Sequence, residues 1–291
     1  MPENSPLKGK PVTTRRPSGL ALYFTVTFLT TWIFWGIAIA LGGPPTSSPT
    51  VIPYLLGGFG PVIGAIAVRI RRARRRESVP SHTVRLRLRA RLLWVLPLLV
   101  LASATVLGAA FVAHLLGGPA VDFTQGQALI ASVGGPGPFL VSMLVVGPLA
   151  EEPGWRGTAY PRLRESLSRS QVGLLLGAVW AVWHLPLFFI TGTVQAGFGL
   201  LSWNGLMFAL SFFPMALLTG YAYERAGVAA SIAVHFGVNA TIAVLTVNSP
   251  ITLAAICGVQ LIVALILLAI HRPRQQELPA HLPTQPRQAA R

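Results

Sequence analysis

GLALYFTVTFLTTWIFWGIAIALG, residues 19–42, carries no charged side chain along its length. A run of this kind decides which solvent the chain folds in. As a helix rising about 1.5 Å per residue, it reaches across the roughly 30 Å hydrocarbon layer of a bilayer. It is longer than the apolar region of a signal peptide and follows the polar segment 1–18, so it reads as a membrane span and not as a secretion signal.

The rest of the chain repeats the pattern. Hydrophobic residues make up 53% of 291 positions, charged residues 11%, and mean hydropathy is +0.62. A soluble domain carries about 25% charged residues. Lipid offers the backbone no hydrogen-bond partners, so only helices or a closed barrel can span it. The unbroken apolar runs fit helices, not the alternating pattern of barrel strands. Further spans are expected at 50–69, 92–116, 138–156, 172–191, 200–222, 228–247 and 250–271. The expected fold is an all-α polytopic bundle of about eight spans, with both termini cytoplasmic. A membrane domain over 19–271 lies between a cytoplasmic segment, 1–18, and a tail, 272–291. The tail is rich in Pro, Gln and Arg, and both flanking segments are expected to be disordered. Cys257 stands alone in an apolar run and reads as a packing residue.

The formal net charge of +15 resembles a nucleic-acid signature until its distribution is read. Lys8, Lys10, Arg15 and Arg16 precede the first span. Arg69, Arg71, Arg72, Arg74, Arg75, Arg76, Arg85, Arg87, Arg89 and Arg91 fall between the second and third. Arg156, Arg162, Arg164 and Arg169 follow the fourth, Arg225 follows the sixth, and Arg272, Arg274, Arg287 and Arg291 form the tail. With eight spans all 23 basic residues share one side, and the opposite loops carry only Asp122. The positive-inside rule makes the basic side cytoplasmic. One miscounted span scatters these charges, so count and orientation support each other. The 69–91 loop serves as a topology determinant, or as a patch for anionic headgroups. No recognition module accompanies the charge, so nucleic acid is not an expected partner; the lipid bilayer is.

Ionisable groups inside a span are costly and point to function. Three spans carry them: Gly147-Pro148-Leu149-Ala150-Glu151-Glu152-Pro153-Gly154-Trp155-Arg156-Gly157, then Trp180-Ala181-Val182-Trp183-His184-Leu185-Pro186, then His235-Phe236-Gly237-Val238-Asn239. His235 and Asn239 are four apart and share a helix face, as do Glu152 and Arg156. Arg156 can therefore neutralise Glu152, while Glu151, about 100° around the helix, is left without that partner. Pro153 is expected to bend the helix there and to free a backbone carbonyl. Counting rise from the span ends brings Glu151, His184, His235 and Asn239 into one layer between the cytoplasmic surface and the midplane.

A carboxylate, two imidazoles and an amide in one buried layer suit hydrolysis. Glu151 can act as general base toward water, with His184 sharing the proton or passing it to a leaving amine. His235 and the Asn239 amide can donate to the oxyanion of a tetrahedral intermediate. Alternatively Glu151, His184 and His235 hold zinc, which would polarise the water; the helix-borne His-Glu-x-x-His motif is absent, and the metal question stays open at this point. No Gly-x-Ser-x-Gly elbow is present. Ser142, Ser202, Ser211 and Ser231 are expected to return hydrogen bonds to their own helices.

These residues resemble the three ordered motifs of the CPBP family (CAAX proteases and bacteriocin-processing proteins, also called Abi). They are Glu151-Glu152-x-x-x-Arg156, an aromatic-x-x-x-His from Trp180 to His184, and His235-x-x-x-Asn239. The resembling region is 137–245. The resemblance implies an all-helical intramembrane endopeptidase acting on a membrane-associated protein or peptide, with lipidated CAAX-type proteins one such class. It assigns water activation to Glu151 and His184, the oxyanion pocket to His235 and Asn239, and support to Glu152 and Arg156. It does not decide between glutamate and zinc. The second motif usually opens with Phe; Trp180 keeps an aromatic wall and bears on substrate choice.

Each motif alone has a plainer reading: an interfacial charge cluster, a histidine bonded to a neighbouring carbonyl, or interhelical glue worth about 1 kcal/mol. The rival functions are a non-catalytic peptide-binding or immunity protein of the same fold and an ion-coupled transporter, which would show related halves or paired broken helices. Trp32, Trp35, Trp94, Trp155 and Trp203 are read as interface anchors. The Arg- and Ala-rich composition suggests a bacterial plasma membrane as the setting.

Overall fold

The computed structural model describes residues 19–84 and 93–271. The segments 1–18 and 272–291, and Arg85, Arg87, Arg89 and Arg91, lie outside the described residues. The described chain is all helical. The first long helix, α1 (Leu20–Leu41), ends at Gly42 in the left-handed region, whose amide caps the Ile39 carbonyl at 3.1 Å. Next come α2 (Val51–Gly58) and α3 (Gly60–Arg75), joined at Phe59 with a 48° bend, then α4 (Val95–Leu115) and the short α5 (Thr124–Ser132).

The helix that follows, α6 (Pro136–Leu163), departs from α5 by 87°. That bend falls at Gly134 and Gly135, whose φ values of 95° and 100° suit glycine alone. The helix runs on past Pro153, where a bend was expected. The segment Ala150–Gly154 is instead flanked by two π-helical turns, Val145–Leu149 and Trp155–Ala159. Wider turns absorb a proline without ending the helix, and Thr158 Oγ1 donates back to the Pro153 carbonyl at 3.1 Å.

Downstream, α7 (Arg169–Trp183) opens on a capping box between Ser168 and Gln171 and runs into a tight turn, Leu185–Phe189. The short α8 (Val194–Phe198) leads to α9 (Trp203–Ala226), capped by Ser202, whose hydroxyl accepts from the Gly205 amide. One residue, Gly227 at φ 80°, separates α9 from α10 (Val228–Val244); α11 (Pro250–Ile270) closes the bundle.

Packing pairs α1 with α3, α7 with α9, and α4 with α10 and α11. Small residues set the closest approaches: Gly60 and Gly64 of α3 lie against Thr27 and Thr31 of α1, leaving no room for a side chain. Polarity is inverted relative to a soluble protein. Leu29, Ile33 and Ile37 of α1 and Ile262, Leu265 and Ile266 of α11 face outward, while Thr27, Thr31, Glu151, Glu152, Arg156 and His235 are buried. That arrangement suits lipid outside and a polar interior. Among the described residues five helices are long and apolar enough to cross a membrane, and the two bent pairs bring the number to seven; α10 is a shorter apolar helix of 17 residues. This is an integral membrane protein.

The tryptophans divide. Trp32, Trp94 and Trp203 are exposed, as interface anchors would be, but Trp35 and Trp155 are buried in the core. Trp155 sits near the end of the expected span, whereas α6 continues eight residues further, to Leu163, which puts it in the interior. Ser142 and Ser211 bond back to their own helices; Ser231 instead donates to the Thr219 carbonyl of α9, and Ser202 is a cap.

Candidate active site

The site grows from the turn Ala150–Gly154 of α6. Because Glu151 and Glu152 are adjacent, their side chains leave the helix in different directions and meet different neighbours. Glu152 and Arg156, four apart, pair at 3.1 Å with no exposure of either side chain. The same Glu152 oxygen receives His235 Nδ1 from α10 at 2.9 Å. A carboxylate that already accepts from arginine can only accept again, so the His235 proton sits on Nδ1 and Nε2 is left facing away.

Glu151 is not left alone. Its Oε2 accepts from Trp180 Nε1 of α7 at 2.6 Å and from Trp155 Nε1 at 3.3 Å. Trp155 was not among the sequence-derived site residues, though its spacing of four from Glu151 repeats the Glu152–Arg156 pattern and is the signal that would have found it. Trp180 also lies edge-on to His235, ring centroids 5.2 Å apart, and carries the Arg156 guanidinium 4.3 Å above its ring.

His184 ends α7. A carbonyl only accepts, so His184 Nδ1 donates to the Trp180 carbonyl at 2.8 Å, and in the neutral imidazole Nε2 keeps its lone pair. Phe212 stacks on the ring at 4.4 Å and Trp183 meets it edge-on at 4.6 Å. Trp183 is itself tied to α1, its Nε1 donating to Thr31 Oγ1 at 2.9 Å. The first helix thus buttresses the wall behind His184, a role with no motif to announce it.

The convergence point is Gly147, one turn before Glu151. A methyl group built there would meet Asn239 Nδ2 at 3.6 Å, His235 Nε2 at 3.7 Å and Glu151 Oε1 at 3.9 Å. Three helix-borne polar atoms therefore surround one small space beside a residue without a side chain. His184 joins this group through Trp180, whose indole holds Glu151 and whose carbonyl holds the imidazole. Among the described residues no three His, Cys, Asp or Glu side chains are gathered to hold a metal ion. Glu151, His184 and His235 are not gathered into such a group.

Residues 133–241 match the family model described as type II CAAX prenyl endopeptidase Rce1-like. That stretch includes Gly147, both glutamates, Trp180 and both histidines of the site, together with Asn239. A curated protein named CAAX prenyl protease 2, from Methanococcus maripaludis, is 28% identical over 224 residues, covering 75% of this chain and 82% of that protein. The match therefore extends well outside the motif helices, into the scaffold that holds them. In motif order, helical architecture and these matches, the chain is similar to the CPBP family of CAAX-type membrane proteases.

Proposed function

We propose that this intramembrane endopeptidase hydrolyses a peptide bond with water activated by Glu151. The observation that carries the reading is the meeting of Glu151 Oε1, His235 Nε2 and Asn239 Nδ2 around Gly147. Water bound there gives a proton to Glu151 Oε1 while its oxygen attacks the scissile carbonyl carbon. The oxyanion accepts from Asn239 Nδ2, and from His235 Nε2 when that nitrogen carries a proton. On collapse the C–N bond breaks, and the proton taken by Glu151 reaches the leaving amine by way of His184 Nε2. Trp155, Trp180 and the Glu152–Arg156 pair hold these groups and touch no reacting atom.

The substrate in this reading is a membrane-associated polypeptide. The name of the archaeal relative makes prenylated C-terminal peptides the first to try. Eight crossings support a site that opens to the cytoplasmic side of a bacterial plasma membrane. The ends of α10 favour that number. Gly227 at its start lies close to Val84, on the arginine-rich side, whereas Thr246 after its end donates to Gln125 in the first turn of α5, near Asp122. The helix α4 runs between the same two ends of the bundle: Trp94, just before it, lies against Arg225, and Pro119, just beyond it, lines a cavity with Thr246.

Purified protein in lipid nanodiscs, given a panel of prenylated and membrane-spanning peptides, tests the proposal. Wild type is expected to cleave at least one and Glu151→Gln none. A panel on which the two behave alike, with the variant folded, rejects the peptidase assignment of this site. Activity that survives thorough chelation supports water activation by glutamate.

A further inference from the structure

Four helix ends meet on the side of the bundle that carries the arginines: α4 at Trp94, α7 at Arg169, α9 at Arg225 and α11 at His271. Among them lies a cavity of about 280 Å³ lined by Arg169, Tyr221, Glu224, Arg225, Ile270 and His271. It shares no lining residue with the Glu151 site.

Charge around this cavity is unevenly matched. Glu224 already receives Arg164 Nε at 3.1 Å, Arg169 Nε at 2.5 Å and the Tyr160 hydroxyl at 3.0 Å. Arg169 also donates Nη1 to the His271 carbonyl, and the Tyr221 hydroxyl meets His271 Nδ1 at 3.1 Å. Arg225 has no carboxylate among the described residues. Its guanidinium lies over the Trp94 ring at 5.3 Å and the Tyr221 ring at 5.1 Å. Aromatic faces hold a guanidinium in place without neutralising it, and they leave its edge free to donate. Two guanidinium groups thus share one carboxylate, and the third has none among the described residues. The neighbouring sequence adds to the imbalance: 85–92 and 272–291 contain eight arginines and a single acid, Glu277.

We propose that this cavity binds the phosphate of an acidic phospholipid headgroup, with the Arg225 and Arg169 guanidinium groups as donors. Planar donor pairs suit phosphate oxygens. A lipid is favoured over a free anion by what flanks the cavity. Leu93, Leu96 and Ile270 are 75%, 66% and 69% exposed on the adjoining helix ends, an apolar path for acyl chains beside a polar cup. Basic pockets between membrane helices at the cytoplasmic surface suit such headgroups.

Full-length protein, stripped of lipid in neutral detergent, would be titrated with phosphatidylglycerol or phosphatidylcholine and the bound lipid counted by native mass spectrometry. Phosphatidylglycerol is expected to bind more tightly. Arg225→Gln should weaken it about fivefold, the effect of one basic residue near an anionic headgroup, and leave phosphatidylcholine unchanged. Trp94→Leu, which removes a ring that positions Arg225, should act in the same direction. Glu224→Gln should strengthen binding by removing the competing carboxylate, and Arg75→Gln, in an exposed arginine run, should leave it as it is. Thermal unfolding without lipid confirms that each variant is folded. Equal affinity for the two lipids, or undiminished phosphatidylglycerol binding by folded Arg225→Gln, overturns the proposal. Stabilisation by inorganic phosphate at constant ionic strength with no lipid preference would assign a free anion and overturn the lipid reading.

Discussion

Trp180 Nε1 donates to Glu151 Oε2 across 2.6 Å, joining the second motif to the first through an indole. Where the motif opens with Phe, no such donor exists, so the contact is a property of this chain and not of the pattern. Trp180→Phe keeps a ring beside His235 and beneath Arg156 but removes the donor. Hydrogen bonds to charged groups contribute about 1.5–3 kcal/mol. If that much orientation of Glu151 is lost in the chemical step, kcat falls about ten- to a hundredfold with KM little changed. Steady-state cleavage in nanodiscs reads it, and an unchanged kcat removes the positioning role.

The two adjacent glutamates should separate chemistry from stability. Glu151→Gln still offers a carbonyl oxygen to both indoles, so the fold should persist while peptide cleavage is lost. Glu152→Gln leaves Arg156, which is fully buried, without its carboxylate and weakens the hold on His235. Breaking a buried ion pair costs about 3–5 kcal/mol. Thermal unfolding should therefore show a large drop for Glu152→Gln and little for Glu151→Gln. Matching unfolding curves for the two variants would contradict this division of roles.

Glycines of α6 give a second contrast. At Gly147 an added methyl stands 3.6–3.9 Å from the three polar atoms, ordinary contact distance, and lies in the space assigned to water. Gly147→Ala should fold at least as well as wild type, since alanine favours helix by about 0.5–1 kcal/mol, yet lose activity. At Gly154 the same methyl would meet the Pro61 carbonyl oxygen at 2.5 Å and the Tyr23 hydroxyl at 2.6 Å. Gly154→Ala should push α6 away from α3 and lower the unfolding temperature. Full cleavage by Gly147→Ala would show that the water sits elsewhere.

Local spacing made much of this site readable. The Glu152–Arg156 pair and the shared face of His235 and Asn239 follow from separations of four on a helix, and the long apolar runs mark the helices that bear them. What spacing could not supply is tertiary. The His235–Glu152 bond joins residues 83 positions apart, and the Thr31 hydroxyl reaches Trp183 across 152. The reading of Trp155 failed for a local reason: π turns flank Pro153, α6 continues to Leu163, and Trp155 becomes a buried donor to Glu151 instead of an interface anchor. The bend appears at Gly134 and Gly135, where a positive φ was available.

The crossing of α10 is the point on which topology turns, because His235 and Asn239 ride on it. Asp122 and Asn248 line one common cavity, although the latter follows α10 and the former follows α4. If both helices cross from the arginine side, the two residues emerge together on the opposite face. In a Cys257→Ser background, Asp122→Cys and Asn248→Cys should react with a membrane-impermeant maleimide on intact spheroplasts. Arg75→Cys, exposed on the other side, should react only after permeabilisation. Labelling of Asn248→Cys together with Arg75→Cys would mean that α10 returns to its own side. An odd number of crossings would then split the arginines between two faces. That outcome would remove the argument for a cytoplasmic opening, because the opening rests on keeping every basic residue on the side from which water enters.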